Sequence, residues 1–493
     1  MTAATHALAG RFVEGPITPT LLRFALPLLA TNLLHAVAST WAAVWVGQVL
    51  GAHALPAVAT ASVLLFMLMG AVMGMGTAAG VAIGQSLGAG DLGAVKRVAG
   101  CALAFVVGFS LVVAAAGWAL APLLIDALGT PPEARGHAVV HLRFTCLSMP
   151  AIFSYLVLVM LLRGSGDART PFRFTLVWIG LSLLLVPALL TGLGGLLPGM
   201  GIAGVGVANL LAAATALAAL LAHVYRRRLP IALRGEDLRH LRPERALLGL
   251  LLRRGVPVAL ESVVTQGAYF VLLGLVNRHG AATAAAYSGA AQLWNFVQTP
   301  GIALAASMSA MAAMNIGAGH WPRVERIALR GCTTSLAVSA CAVLLIYALG
   351  AAFDDLPLRL FITSDAEVLA QARRIHFITL WGWVALSVTM GLFAVVRANG
   401  AMLAPMLIFL VTMWAFRVPF AVGLAPWLGD AAIWWSFPFG SISSALIAWA
   451  YYRWGAWRRR PLMLAALSPA ASLAPLNVTL TATAAAADTH LGE

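Results

Sequence analysis

Residues 226–247 read RRRLPIALRGEDLRHLRPERAL and form the longest polar stretch inside an otherwise apolar chain. Apolar segments long enough to cross a bilayer lie on both sides of this stretch, six before it and six after it. The pattern therefore predicts an all-α polytopic membrane protein, in which two six-helix lobes are joined by a polar linker.

The composition of the whole chain agrees with this division. Of 493 residues, 61% are apolar and only 10% are charged, whereas a soluble domain carries roughly 25% charged residues. This excludes an ordinary soluble enzyme, a disordered chain and a coiled coil. The net charge of +14 does not indicate a nucleic-acid partner, because the basic residues lie in short segments between apolar runs. The partner that the composition predicts is the lipid bilayer.

Twelve membrane spans are predicted from the apolar runs. The predicted spans are residues 20–46, 54–84, 98–125, 138–162, 172–192, 201–225, 248–277, 284–313, 327–351, 371–397, 403–425 and 431–454. The predicted domains are a cytoplasmic N-terminal segment (1–19), an N-terminal lobe (20–225), a cytoplasmic linker (226–247), a C-terminal lobe (248–455) and a basic, then low-complexity, cytoplasmic tail (456–493). An even number of spans places both termini on one side. Most of the 31 lysines and arginines lie on that side, so we expect both termini in the cytoplasm and the protein in the cell inner membrane.

An internal repeat relates the two halves. LLRFALP at Leu21–Pro27 returns as LLRRGVP at Leu251–Pro257, 230 residues later. The other recurring landmarks are GAGD (88–91) with GAGH (317–320), and RGSG (163–166) with RANG (397–400). Each repeat contains six spans, which is an even number. Both repeats therefore enter the membrane from the same side and share one orientation. This arrangement predicts a V-shaped central cavity between the lobes that opens alternately to either side.

Glu261, in the seventh predicted span, is the outstanding acidic residue. The other 16 acidic residues fall in tails, loops or helix ends. A carboxylate in hydrocarbon is costly unless it is paired, hydrated or protonated, so it normally faces a cavity. We therefore predict Glu261 as the residue that binds the coupling ion. The alternative is a protonated side chain that only bonds a neighbouring helix. The matching position of the first repeat is Thr31.

Other polar and aromatic residues at membrane depth are candidates for lining the ion or substrate path. They are Gln266, Tyr287, Gln292, Asn295, Asn32, Tyr155, Trp178, Asn209, Trp381 and Arg417. Aromatic rings suit flat organic cations, although packing between helices and interfacial belts use the same residues. Arg417 could contact Glu261 or an anionic ligand, or extend toward a lipid headgroup. No catalytic, ATP-binding, metal or cofactor motif is present, so we predict neither an enzyme nor a cofactor.

The chain resembles the multidrug and toxic compound extrusion (MATE) family. The resemblance rests on Pro27, WVGQVLGAHALPAV (45–58), GQSLGAGD (84–91), LRGSGDARTP (162–171), PGMGIAGVGVAN (198–209), and the later GVPVALE, NIGAGH and VVRANG followed by Pro405. It implies a monomeric exporter that exchanges organic cations or drugs for protons or sodium. Glu261 matches the seventh-helix Glu of the NorM-like branch of the family.

The sequence also departs from the family pattern. The first-lobe Asp residues of the DinF-like branch are replaced by Ala42 and Val186, and the tenth span contains no acidic residue. A single carboxylate is a poor cage for sodium but is sufficient for a proton, so protons are favoured. The alternatives are a lipid-precursor flippase of the same superfamily and a membrane-embedded transferase or scaffold without transport. A flippase often has extra spans, which are absent here, and a transferase has no need of the parallel repeat.

The predicted topology can be tested at the linker. In a background without the four native cysteines, Arg234→Cys should react with an impermeant thiol reagent only from the cytoplasmic side. Reaction from the outside, or opposite labelling of the two termini, would show that the span count is wrong.

Overall fold

The computed structural model describes residues 10–50, 55–127, 132–192, 199–362 and 366–465. Within these ranges, twelve helices are long and apolar enough to cross a membrane, which confirms the predicted all-α architecture and span number. They are α1 (Ile17–Leu50), α2 (Leu55–Gly88), α3 (Leu92–Ala127), α4 (Pro132–Gly164), α5 (Arg169–Thr191), α6 (Ile202–Arg226), α7 (Arg245–Asn277), α8 (Ala281–Gly317), α9 (Trp321–Ala352), α10 (Ala366–Ala398), α11 (Leu403–Gly423) and α12 (Ala431–Trp454).

Most helices extend beyond the predicted spans. The helix α3 begins at Leu92 rather than at residue 98, and α8 ends at Gly317 rather than at residue 313. Hydropathy detects only the part of a helix that is apolar, whereas the hydrogen-bonded turns continue into the polar segments. Lys96 and Arg97 thus lie within a regular helix, α3.

Helices α1–α6 form one lobe and α7–α12 form the other. In the first lobe α4 packs against α2, α3 and α6, while in the second α10 packs against α8, α9 and α12. Prolines lie inside α1 and α7 at equivalent places, Pro27 and Pro257. Each removes one backbone hydrogen bond of its helix. The repeat in the sequence is therefore a repeat in the fold.

Small residues let the two lobes approach each other closely. A Cβ atom on Gly255 of α7 would lie 2.9 Å from the backbone of Gly74 on α2. Further along, Gly88 faces the backbone of Met314, and Gly317 faces the backbone of Gln85. Gly-mediated approach of this kind is typical of helix pairs in membranes. These contacts lie toward the helix ends that carry the predicted cytoplasmic segments, so the lobes are closed at that end.

Residues from both chain ends reinforce this closure. The Gln85 amide donates to the carbonyl oxygen of Ala398 (2.7 Å) and accepts the backbone N–H of Met463 (2.9 Å). The Asn315 amide donates to the carbonyl oxygen of Phe12 (3.0 Å). Because Gln85 lies in the first lobe and Ala398 in the second, the first of these bonds joins the lobes directly.

The structure describes the whole of the predicted linker and the first residues of the predicted tail. The linker forms a 3₁₀ helix at Gly235–Leu241, and Asp237 pairs with Lys96 of α3 at 2.6 Å. The neighbouring ammonium group lowers the pKa of Asp237. Trp457 and Met463 of the tail are fully buried. Residues 466–493, which make up most of the predicted low-complexity tail, lie outside the described residues.

Gly317 provides a test of the closed arrangement. Gly317→Ala places a methyl group against the backbone of Gln85, so we expect the closed state to lose population. Spin labels at Ala89→Cys and His320→Cys should report one short distance in the parent protein and a longer, broader distribution in the variant.

Gly249→Ala is the matched control, since a Cβ atom at Gly249 meets nothing within 4 Å. Identical distance distributions for Gly317→Ala and Gly249→Ala would contradict the role assigned to Gly317.

Candidate functional site

Glu261 lies on α7, one turn after Pro257, and only 9% of its surface is exposed. The turn that contains it faces the first lobe: a Cβ atom on Gly70 of α2 would lie 3.6 Å from the carbonyl oxygen of Ala259. The carboxylate is therefore held beside the surface on which the two lobes meet. Among the acidic residues that the structure describes, it is the one placed well inside a membrane-spanning helix.

Arg397 is the ionic partner of Glu261. Its Nη2 atom donates to both carboxylate oxygens, at 2.5 and 2.6 Å. The side chain of Arg397 is 17% exposed, and that of Glu261 is 12% exposed. Arg397 lies one residue before the end of α10, and its guanidinium passes over the ring of Phe393 at 5.7 Å. The long side chain thus brings a cation from the helix end to the buried carboxylate.

The partner of Glu261 is therefore Arg397 and not Arg417. Arg397 is not among the site residues predicted from the sequence. The arginine that the sequence offers as a contact of Glu261 is Arg417. Arg417 instead contacts Tyr269, which lies eight residues beyond Glu261 on α7. Eight residues of helix correspond to about 12 Å of rise, so the two groups are at different depths.

The equivalent position in the first lobe has a cation without an acid. Arg163 of α4 corresponds to Arg397, but Thr31 stands where the second lobe has Glu261. The Thr31 hydroxyl donates to the carbonyl oxygen of Pro27 at 2.8 Å. The Arg163 Nε atom is buried without a partner, and the described residues give Arg163 no ion pair. The lobes share a fold but differ in charge.

Aromatic residues fill the interior of the second lobe. Tyr287 of α8 stacks on Trp434 at 5.9 Å. Trp294 stacks on Phe437 at 6.3 Å, and Trp383 lies 4.7 Å from the same ring. Tyr287 and Trp294 also meet edge to face at 5.4 Å. Of this cluster, the sequence named only Tyr287 as a site residue.

Arg417 lies at the border of this cluster, within an irregular part of α11. Residues Val411–Arg417 form a π-helical turn, which ends two residues before Pro419. A proline ring clashes with the carbonyl group four residues earlier, and a widened turn relieves that clash. The guanidinium lies over the rings of Tyr269 (5.0 Å) and Phe437 (4.7 Å), and the residue is 4% exposed.

The remaining candidates of the second lobe do not form one site. Gln266, Gln292 and Asn295 are exposed on α7 and α8, and the Asn295 Oδ1 atom accepts a bond from the neighbouring Gln298. Trp381 packs against Tyr347 of α9, apart from the cluster around Trp294. It is Trp383, two residues further on, that points into that cluster.

In the first lobe the structure brings two of the four candidates together. The ring of Trp178 meets Tyr155 edge to face at 5.1 Å and His35 at 5.8 Å. The Tyr155 hydroxyl lies 2.9 Å from the Thr175 hydroxyl. Asn32 on α1 and Asn209 on α6 are half-buried. Arg163 interacts electrostatically with both Tyr155 and His35, so it belongs to this group.

Sequence reasoning missed the two arginines, Arg163 and Arg397, as site residues. Both lie at the end of a helix, where hydropathy and the positive-inside rule assign a cation to the membrane surface. The signal that could have found them was the repeat itself. The landmark pair RGSG (163–166) and RANG (397–400) begins with an arginine in each half.

The family model MatE matches residues 27–188 and 257–422. The two matched segments begin at the equivalent prolines of the repeat. The chain is 29% identical over 441 residues to the probable multidrug resistance protein YoeA of Bacillus subtilis, covering 89% of this chain and 94% of that protein. It is 27% identical over 455 residues to the probable multidrug resistance protein YpnP of the same organism, covering 92% and 98%.

Solved structures share the fold. A crystal structure of MATE in complex with MaD3S superimposes with a TM-score of 0.82 at 19% identity, covering 90% of this chain and 97% of that one. An outward-facing MATE transporter of the MOP superfamily gives 0.80 at 18% identity, with the same coverage. The match to MatE covers both lobes, and the chain belongs to this family of membrane transporters, which are not enzymes.

Proposed function

We propose that the protein is a secondary active efflux antiporter, which exports organic cations or drugs across the cell inner membrane in exchange for protons. Its relatives YoeA and YpnP are named as probable multidrug resistance proteins. Both termini and the 226–247 linker are on the cytoplasmic side in this proposal, and the protein works as a monomer. In this proposal the two lobes, the linker and the tail have the boundaries predicted from the sequence.

The ion pair between Glu261 and Arg397 is the observation that carries the proposal. A buried carboxylate beside a fixed cation stays charged without any ligand. A proton that binds the carboxylate removes its charge and releases the guanidinium. A cationic substrate can replace the guanidinium in the same way. Glu261 therefore has three alternative partners, namely Arg397, a proton and a cationic substrate, and only one cation can satisfy it at a time.

The position of the pair connects this competition to the movement of the lobes. Glu261 lies on the turn of α7 that follows the close contact of Gly255 with Gly74, while Arg397 lies on α10 beside the Ala398 carbonyl that Gln85 holds. A change of partner at Glu261 acts on both helices where they meet the first lobe. Protonation from outside and substrate binding from inside would thereby favour different arrangements of the lobes.

A proton suits this site better than sodium. Sodium needs several oxygen ligands, and the carboxylate is already occupied at both oxygens by Arg397. The nearby Thr265 hydroxyl donates to the Glu261 carbonyl oxygen at 2.8 Å and is committed to the helix backbone. A proton needs a single lone pair of the carboxylate and no further ligand.

Glu261→Gln tests the coupling role. The amide keeps the shape of the side chain but can neither bind a proton nor compensate a cation, so we expect loss of gradient-driven efflux. Removing one member of a buried pair costs about 3–5 kcal/mol. Thermal stability and dye binding in detergent should therefore be measured beside transport in proteoliposomes, with a pH gradient and without sodium.

Glu325→Gln is the matched control, since Glu325 pairs with Arg458 at 3.2 Å at the surface and its loss should leave transport unchanged. Full efflux by the Glu261→Gln protein would refute the coupling role. Strict dependence on sodium would overturn the choice of proton, and lipid scrambling without dye efflux would favour the flippase.

Arg397→Gln should strengthen the binding of a cationic dye rather than abolish it. The guanidinium occupies both oxygens of the Glu261 carboxylate, so without it a cationic ligand meets no competing cation from the protein. We expect the Kd of the dye to fall by about fivefold or more, measured by fluorescence polarisation on the purified protein.

Arg373→Gln removes the arginine of a second ion pair, with Asp355, near the opposite end of the same helix. It should leave the Kd of the dye unchanged. A Kd that is unchanged in Arg397→Gln, or raised, would contradict the assigned competition.

A further inference from the structure

Arg417 is a buried cation for which the described residues provide no acidic partner. Among the described residues, its one polar contact is from Nη1 to the sulfur of Met413 at 3.7 Å, and its Nε atom is buried without a hydrogen bond. The rings of Tyr269 and Phe437 lie on its faces. Phe437 stacks on Trp294, which in turn meets Tyr287. Cation–π contacts offset only part of the cost of removing a guanidinium from water.

The fold itself does not require a cation at this position. In the first lobe, Pro187 of α5 corresponds to Pro419 at an offset of 232 residues, and Leu185 stands where the second lobe has Arg417. The helix around Pro187 is a regular α-helix. An equivalent six-helix lobe therefore forms with an apolar residue there.

The second lobe is adapted to hold the arginine. The π-helical turn Val411–Arg417 alters the direction in which the side chain leaves α11. Gly440 of α12 makes room for the side chain, since a Cβ atom there would lie 3.1 Å from the Cβ of Arg417. π-helical turns of this kind are frequent at functional sites.

We propose that Arg417 binds the carboxylate of an aromatic substrate, whose rings lie against Tyr269 and Tyr287. A guanidinium has five N–H donors in a planar fork that matches a carboxylate. The Nε atom is covered, but the sulfur of Met413 is a weak acceptor, so the Nη1 and Nη2 donors are left for a ligand. Glu261 lies about 12 Å along the axis of α7 from Tyr269, the residue that Arg417 contacts. An elongated zwitterion can therefore place its cation toward the acid and its carboxylate at Arg417.

The inference rests on the proposed export function and names the residue that selects carboxylate-bearing substrates, but its test needs no transport. Rhodamine 110 carries a free carboxylate, and rhodamine 123 is its methyl ester, so the two dyes differ in that one charge. Binding to the purified protein in detergent is measured by fluorescence polarisation. We expect the parent protein to bind rhodamine 110 more tightly by about tenfold or more.

Arg417→Met should weaken the binding of rhodamine 110 by about 10- to 100-fold and leave rhodamine 123 unchanged. Arg417→Lys keeps the charge without the planar fork and should give an intermediate preference. Arg143→Met is the matched control, because Arg143 also lies over an aromatic ring, that of Trp118 at 5.5 Å, but in the first lobe. It should change neither affinity.

Equal affinities of the parent protein for the two dyes would overturn the proposal, as would equal losses for both dyes in Arg417→Met. If Arg417→Met does not fold, the parent protein and Arg417→Lys decide the matter, since an undiminished preference in the lysine variant also contradicts bidentate binding. Glu261→Gln should retain the preference for the carboxylate, which separates this site from the coupling role proposed for Glu261.

Discussion

A charge inside a bilayer must find a partner, and this requirement organises the second lobe. Glu261 is stable at its depth because Arg397 extends from the end of α10 and donates to both carboxylate oxygens. The pair joins α7 to α10, two helices that also contact the first lobe. A carboxylate without this cation would be costly, and a permanently occupied carboxylate could not exchange ions. The useful state is a pair that a competing cation can open.

Small residues decide where the lobes touch, and thereby where such a pair can act. Gly74 and Gly255 bring α2 and α7 into backbone contact, and the amide of Gln85 joins α2 to the end of α10. Glu261 and Arg397 lie immediately beside these contacts. In the proposed mechanism, an ion that changes the pair therefore acts on the closed surface directly, and no long chain of coupled residues between two distant sites is required.

The sequence predicts the number of helices, the two lobes and the position of Glu261, because hydropathy and the repeat are properties of the chain itself. It does not predict Arg397 as the partner, because a long side chain can reach from a helix end to a depth that its Cα atom does not have. It also does not predict the π-helical turn before Arg417, since the proline at 187 lies in a regular helix and the proline at 419 does not. The burial of Trp457 and Met463 depends equally on contacts that composition cannot show.

The two lobes differ in the charges that they carry at equivalent positions. Each has an arginine at the end of its fourth helix. Among the described residues, only the second lobe supplies a carboxylate for it, and the position of Arg417 is a leucine, Leu185, in the first lobe. In the first lobe the Arg163 guanidinium lies near Tyr155 and His35 without an ionic partner in the described residues. In the proposed exporter, the duplicated fold thus separates two tasks: the first lobe provides a matching surface for closure, while the second holds the charges that ions and substrates exchange.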